Sequence, residues 1–406
     1  MKHEVKKTAI RLSVVVLAVI AVTFSILTTT EIAIAEESSP LSSEEKINNT
    51  EENSPSVQKD LADAVLNDQV QLHGGMTVVA ASLSASDDNE GIDGTMSIDL
   101  ELTVATSKSG KAYVLLEAGG GSGIDAKAPT LSGFNDVADD DHNVRATEVW
   151  YEHTFGEKVR MRGGKVDLST DFDTNEVANS ETDQFLSTGF VNNLAVEFPD
   201  DNGLGMMLWI APNDLLDLGF GFADADADWD NIFGTHFSMV ELGFKPKVFE
   251  RQGNYRAYGW HNSKDHERLT DTEITDDANY GFGVSADQEI TEGVTLFARY
   301  GHQSGSVAPI EHAWSAGLQL EGVIGHRSHD TIGLAYGKAI IGEDWKTANP
   351  ENLADFGNEH HLELYYSMRI NRFLSLSPNL QWVKHPNGDK DHNSHWAGAL
   401  RMQLSF

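Results

Sequence analysis

The sequence predicts an all-β protein, a transmembrane antiparallel β-barrel of about 16 strands behind a short N-terminal leader and helix. Three observations predict it. After the N-terminal segment nothing approaches the roughly 18 consecutive apolar residues of a membrane-spanning helix, so any later span must be made of strands. From about Gly75 the chain is a succession of segments with apolar residues at every second position, broken by acidic or Gly-rich turns. The last segment ends on an aromatic, with Trp396, Gly398, Leu400, Met402, Leu404 and Phe406 on one face and His395, Ala397, Ala399, Arg401, Gln403 and Ser405 on the other. A period of two with one apolar side suits lipid on one face and water or polar side chains on the other.

In chain order, residues 1–35 read as a secretory signal. Lys2, Lys6, Lys7 and Arg11 form its positive start, Leu12 to Leu27 its apolar stretch and Ala33 to Ala35 a small-residue cleavage site. The apolar stretch is also long enough for an uncleaved inner-membrane anchor. Residues 36 to about 56 are rich in Glu, Ser, Asn and Pro and read as a disordered leader. Val57 to Leu72 has Val57, Leu61, Ala64 and Val65 at helical spacing and reads as a short helix. The domain scheme is therefore signal 1–35, leader and helix 36–74, and barrel 75–406.

Alternation is plain in Met96 to Val104, Tyr280 to Asp287, Val294 to Tyr300 and Leu362 to Ile370. Segments near residues 96, 111, 145, 158, 190, 203, 215, 235, 254, 278, 292, 311, 329, 358, 373 and 394 bring the count to about 16. An even number returns both barrel ends to one side of the membrane, and a barrel of this size leaves an aqueous channel. Gly156 and Glu157, and Asn371 and Arg372, are short connections. Gly119 to Asn143 and Ser169 to Asn193 are too long for turns, and at least one is expected to fold inward and constrict the pore.

The chain has 63 acidic and 29 basic residues and no cysteine. Without the signal, 61 acidic residues face 25 basic ones, a net charge of −36. Such an excess repels phosphates and argues against nucleic acid, and it keeps an apolar-surfaced barrel soluble during export. The lack of cysteine removes disulfides, thiolate metal sites and cysteine nucleophiles. Asp224, Asp226, Asp228 and Asp230 have the spacing of a calcium loop, but Trp229 stands where that loop needs Gly and Thr235 where it needs Glu, so a solvated turn is expected. His392, Asn393, Ser394 and His395 invite comparison with a hydrolase, yet they sit after a Pro-Asn-Gly turn and read as loop polar residues. The expectation is a channel, with no enzyme activity, cofactor or metal.

Alternation also selects the lumen side. With Val149 and Tyr151 toward lipid, Glu148, Trp150 and Glu152 point inward; with Val159 and Met161 toward lipid, so do Arg160 and Arg162. Arg299, Glu241, Lys245, Arg256, Tyr258 and Trp260 follow by the same logic. Carboxylates, guanidinium groups and indoles on one wall suit neutral sugars, because an aromatic face covers the C–H face of a pyranose while charged groups exchange hydrogen bonds with its hydroxyls. The competing reading is that these charges pair with each other and brace the wall.

Several runs carry a family resemblance: Gly164 to Asp167, Asp171 to Asn175, Gln184 to Leu186, Glu148 to Glu152, Asn254 to Trp260 and Gly281 to Tyr300. On them the chain resembles the carbohydrate-selective porin (OprB-type) family of Gram-negative outer membranes, over roughly Glu148 to Phe406 and more weakly over residues 75–147. The resemblance implies a sixteen-stranded barrel that passes monosaccharides such as glucose through an arginine-containing, aromatic-flanked constriction. Carried to matching positions, it points to Trp150, Glu152, Arg160, Arg162, Lys165, Asp173, Asn175, Arg256 and Trp260, to which the alternation adds Glu148 and Arg299. The expected partners are small neutral solutes, outer-membrane lipid and the barrel-assembly machinery, reached through the C-terminal strand ending in Phe406; a homo-oligomer is compatible with the fold. The acidic loops depart from the family pattern and keep a general, cation-preferring porin as the alternative.

Overall fold

A computed structural model describes residues 69–84, 91–138, 142–248, 250–349 and 356–406. The signal, the leader and most of the expected helix lie outside them. Sixteen strands make up the barrel: β1 Val70–Ser84, β2 Gly91–Ala105, β3 Gly110–Gly120, β4 Val144–Phe155, β5 Val159–Val166, β6 Gly203–Asn213, β7 Leu216–Asp224, β8 His236–Phe244, β9 Arg251–His266, β10 Asp277–Thr291, β11 Val294–Gln303, β12 Ile310–Glu321, β13 Thr331–Ile341, β14 Glu359–Arg369, β15 Leu374–Lys384 and β16 His395–Ser405. A two-residue ladder, Lys247–Val248, folds back on the start of β9 within its turn. Each strand pairs antiparallel with the next, and β1 closes the ring on β16 with Gly75 opposite Ser405 and Ser84 opposite Trp396. Closure leaves no edge, so every strand can satisfy its backbone groups inside lipid.

The outward face is the apolar one. Phe220, Val240, Leu242, Phe282, Val284, Leu296, Leu364, Leu380 and Leu400 are all exposed on it. Tyr300, Trp314, Tyr336, Trp382 and Trp396 gather in ring contacts toward the end with the long connections, as an interfacial girdle requires. The opposite end has tight turns, such as Gly156 to Lys158, where Gly156 takes φ 62°.

Two of the expected segments differ from the structure, and the differences offset each other in the count. The strand expected near residue 190 is absent. That stretch holds a single helical turn, α1 Thr188–Val191, capped by the Ser187 hydroxyl, which accepts from the Gly189 N–H. Leu194, Val196 and Phe198 imitate strand alternation, but β5 pairs directly with β6, Val166 opposite Gly203, and leaves this segment no edge to join. In its place β1 starts at Val70, so Val70 to Leu72, expected as the end of a helix, are strand. Alternation is faint in β1 because Val79, Ala81 and Leu83 on its inner face are also apolar, packed against Ile124, Phe134 and Val137.

That packing shows the core. Residues 121–138 and 167–202 both fold into the barrel. The first covers the inner walls of β1, β15 and β16 through Ile124, Ala128 and Phe134. The second buries Phe172 against Met207 and Met239, Phe185 and Phe190 against Phe297 and Tyr365, and Ala195 against Ile310 and Ala339. Each large apolar side chain buried in this way contributes about 2 kcal/mol. A second short helix, α2 Glu343–Ala348, lies in the connection between β13 and β14.

Candidate functional site

Folding of both insertions into the lumen decides what the inward charges can do. Arg299 on β11 is fully buried, and its guanidinium donates to the carbonyls of Asp173 (2.7 Å), Ala178 (2.6 Å), Phe190 (2.7 Å) and Val191 (3.1 Å). Arg401 on β16 donates to the carbonyls of Glu181 and Gln184 at 2.5 and 2.9 Å. Carboxylates take the matching N–H groups: Glu363 accepts from Leu186 and Ser187, Glu359 from Leu131 and Ser132, and Glu241 from Asp173. An irregular segment has no ladder for its backbone polar groups, and these side chains supply one.

Asp173, with φ 54°, is the central knot of the second insertion. Its carboxylate accepts from Tyr258 (2.8 Å) and from the Asn193 N–H (3.0 Å), with Arg299 Nε 3.4 Å away. Asn175 donates to Ser285 and to the Ala286 carbonyl at 3.2 Å. Arg256 reaches Asp287 at 3.1 Å, and Trp260 is buried beside Phe237. These positions, together with Arg299, hold the insertion; none of them offers an open face.

A second group sits on β4 and β5. Glu152 accepts from Arg160 (3.1 Å) and Arg162 (3.0 Å) and pairs with Lys111 (3.2 Å), and Asp171 of the insertion takes the other side of both arginines at 2.7 and 2.5 Å. Trp150 is sandwiched between Tyr113, stacked at 4.6 Å, and the Arg162 guanidinium at 4.0 Å, while its indole N–H donates to Glu148 at 2.9 Å. Both of its faces are covered. Trp150→Ala should therefore destabilise the barrel, by about 3 kcal/mol, and change solute flux only in proportion; the heat-modifiable gel transition and liposome swelling measure the two. Arg160 keeps a side-chain exposure of 35% and is the arginine of this group that a solute can reach.

Lys165 corrects the sequence expectation. Arg162, Gly164 and Val166 point inward, so the period of two puts Lys165 outside, in register with outward Val149, where it donates to the Ala146 carbonyl at 3.0 Å.

The open part of the lumen lies along β2 and β3, where Ser97, Asp99, Glu101, Thr103, Tyr113 and Glu117 are half-buried. Asp99 stands directly opposite Glu117, and Glu101 is within electrostatic reach of Asp99. Glu181 of the second insertion adds to them. Burial, with Asp136 and Asp99 nearby, pushes its carboxyl up to about 7. The alternation of Met96 to Val104 sets Asp99 and Glu101 opposite the apolar face, but only the register shows that Asp99 and Glu117 meet.

Vestibules lie on either side of the second insertion. One, about 450 Å³, is at the end with the long connections, where Asn192, Asn193, Glu197, His266, Asn279 and Gln303 share the lining with apolar Leu194, Val196, Phe198 and Val307. There Glu197 accepts from Asn279 (2.6 Å) and lies 2.7 Å from His266 Nε2. The other, about 320 Å³, is at the tight-turn end beside Asp183, Arg369, Arg372 and Gln403. In the β7–β8 connection the carboxylates of Asp224, Asp226 and Asp228 lie within 4.8 Å of one another, and Trp229 takes φ 68°, the conformation glycine usually supplies.

Comparison with known proteins agrees with this architecture. The family model described as "Carbohydrate-selective porin, OprB family" matches residues 90–406. Porin AaxA of Chlamydia pneumoniae is 24% identical over 73% of this chain and 66% of its own length. Porin B of Pseudomonas aeruginosa is 25% identical over 41% of this chain and 44% of its own. The chain thus spans just under two thirds of the first relative and less than half of the second. The high-pH structure of Pseudomonas putida OprB superposes with a TM-score of 0.74 at 16% identity, covering 86% of this chain and 97% of that one.

Proposed function

Because the chain belongs to the carbohydrate-selective porin (OprB) family of the Gram-negative outer membrane, we propose that this porin passes monosaccharides such as glucose down their gradient through a water-filled constriction beside the inserted segments. The observation that carries the reading is the vestibule in which Asn192, Glu197 and His266 are part-exposed in front of the buried amides of Asn193, Asn279 and Gln303. The Asn192 amide both donates and accepts, as sugar hydroxyls do, and such a contact is weak enough for release, while Asn193, Asn279 and Gln303 are bonded to Tyr258, Glu197 and the Ile310 carbonyl and shape the wall. Of the side chains expected from the sequence, Arg160 is the one we assign to solute contact; Glu148, Trp150, Glu152, Arg162, Asp173, Asn175, Arg256, Trp260 and Arg299 shape the constriction by holding its walls. We assign residues 1–35 to export and the rest of the N-terminal segment to a leader before β1.

Single-channel conductance in a planar bilayer tests this while glucose and then a disaccharide are titrated in. Saturable reduction of the ion current by glucose, weakened several-fold in Arg160→Ala, is expected. Current that tracks only the bulk conductivity of the solution would leave a pore without a sugar site. The acidic column of Asp99, Glu101 and Glu117 favours a second reading, cation preference, which can coexist with sugar passage.

A further inference from the structure

The outer face of the barrel, at the end with the long connections, is rich in imidazoles that permeation does not use. His236 neighbours His261 with ring centroids 5.9 Å apart, His302 neighbours His312 at 4.6 Å, and His360 neighbours His385 at 6.0 Å. Among the described residues only the middle pair has a carboxylate completing a set of three donors, Glu311, with all three donor atoms within 4.8 Å of one another.

The backbone builds this arrangement. His302 on β11 and His312 on β12 are register partners and share a face. Glu311 precedes His312, so strict alternation would turn it into the lumen. A register shift intervenes: Ile310 stands opposite Ile341 and His312 opposite Ile340, leaving Glu311 as the extra residue of a bulge. A bulge re-aims a side chain, and here it brings Glu311 to the imidazole pair. Gly305 and Gly342 leave room for it, since a Cβ at either would stand 3.2 or 3.3 Å from the Glu311 side chain.

Hydrogen bonds also set the ring nitrogens. His302 Nδ1 lies 3.1 Å from the Glu311 carbonyl, which can only accept, so Nδ1 carries the proton and Nε2 keeps its lone pair. His312 Nδ1 lies 2.9 Å from the Tyr300 hydroxyl, and its Nε2 faces the Glu311 carboxylate at 3.9 Å. A ring whose Nδ1 is engaged and whose Nε2 is directed at a shared centre is arranged as a metal-ligating histidine is.

We propose that His302, Glu311 and His312 form a surface site for one dication of the zinc class, tying β11 to the bulge of β12. Two imidazole nitrogens and one carboxylate favour zinc, nickel, cobalt or copper over magnesium and calcium, which prefer all-oxygen sets. Donors on a shared tetrahedral ion stand roughly 3.4 Å apart. The half-exposed Glu311 and His312 side chains close the remaining gap by rotation. The fourth position is left to water.

The test uses the folded barrel in detergent, titrated with Zn²⁺ by calorimetry in millimolar Mg²⁺, which competes for all-carboxylate clusters such as that of Asp224, Asp226 and Asp228. One Mg²⁺-resistant Zn²⁺ per barrel is expected. His302→Gln and His312→Gln should each weaken it at least about tenfold, Glu311→Gln less, and His360→Gln not at all. Equal binding by wild type and the His302→Gln/His312→Gln double variant would overturn the proposal, as would complete displacement by Mg²⁺. Cu²⁺ electron paramagnetic resonance on the wild type decides the matter even if a variant fails to fold: two coupled imidazole nitrogens support the site, and one or none rejects it.

Discussion

Arg299→Ala is expected to release the second insertion and raise single-channel conductance, with frequent switching between current levels. The alanine leaves four carbonyls, those of Asp173, Ala178, Phe190 and Val191, without their buried donor. It also strips the Asp173 carboxylate of its counter-charge. Leaving one member of a buried ion pair behind typically costs 3–5 kcal/mol. Arg299→Ala keeps the backbone ladder of β11 with β10 and β12 and touches no lipid-facing side chain, so the loss falls on the insertion, and the barrel should still migrate as a folded, heat-modifiable species. A constriction unchanged in conductance, with native open-state noise, would mean that the apolar contacts of Phe185 and Phe190 hold the insertion without the guanidinium.

Removing the acidic column should produce the second large effect. In Asp99→Asn/Glu117→Gln the cation preference, read as the reversal potential in a salt gradient, should fall several-fold, because two carboxyl groups facing each other across adjacent strands concentrate negative charge on the open wall. Stability should rise slightly, since like charges directly opposite on adjacent strands repel. The wild type should show a companion pH effect through Glu181. Its carboxyl, raised to about 7 by burial and by Asp136 and Asp99, stays protonated in mild acid and ionises as the pH passes about 7. Cation preference should therefore increase between about pH 6 and 8, while the stability gained from holding that proton is lost over the rise to pH 7. In the double variant the rise should move to lower pH, because Glu181 loses the repulsion from Asp99. A flat reversal potential from pH 6 to 8 would place Glu181 away from the ion path.

The sequence by itself determined the barrel, its membrane, its family and the inward identity of most charged positions. A period of two is local, and lipid demands an apolar face, so alternation in segments such as Leu362 to Ile370 can be read without any neighbour. The long stretches could be recognised as insertions for the same reason, since they lack that period. What only the tertiary structure decided is what faces what inside. Val79, Ala81 and Leu83 hid β1 because an insertion supplies their apolar partner, and Leu194 to Phe198 imitated a strand because Leu194, Val196 and Phe198 pack against apolar side chains of the inner wall. Arg299 and Trp150 were legible as luminal, but their roles as anchor and filler depend on backbone carbonyls and rings more than a hundred or several tens of residues distant. Lys165 was carried inward by a motif, whereas the pleat points it to the outer face. The facing of Asp99 and Glu117, and the bulge that turns Glu311 out of the lumen, are properties of register. Register is fixed by turn lengths and closure of the whole ring, and no single segment contains it.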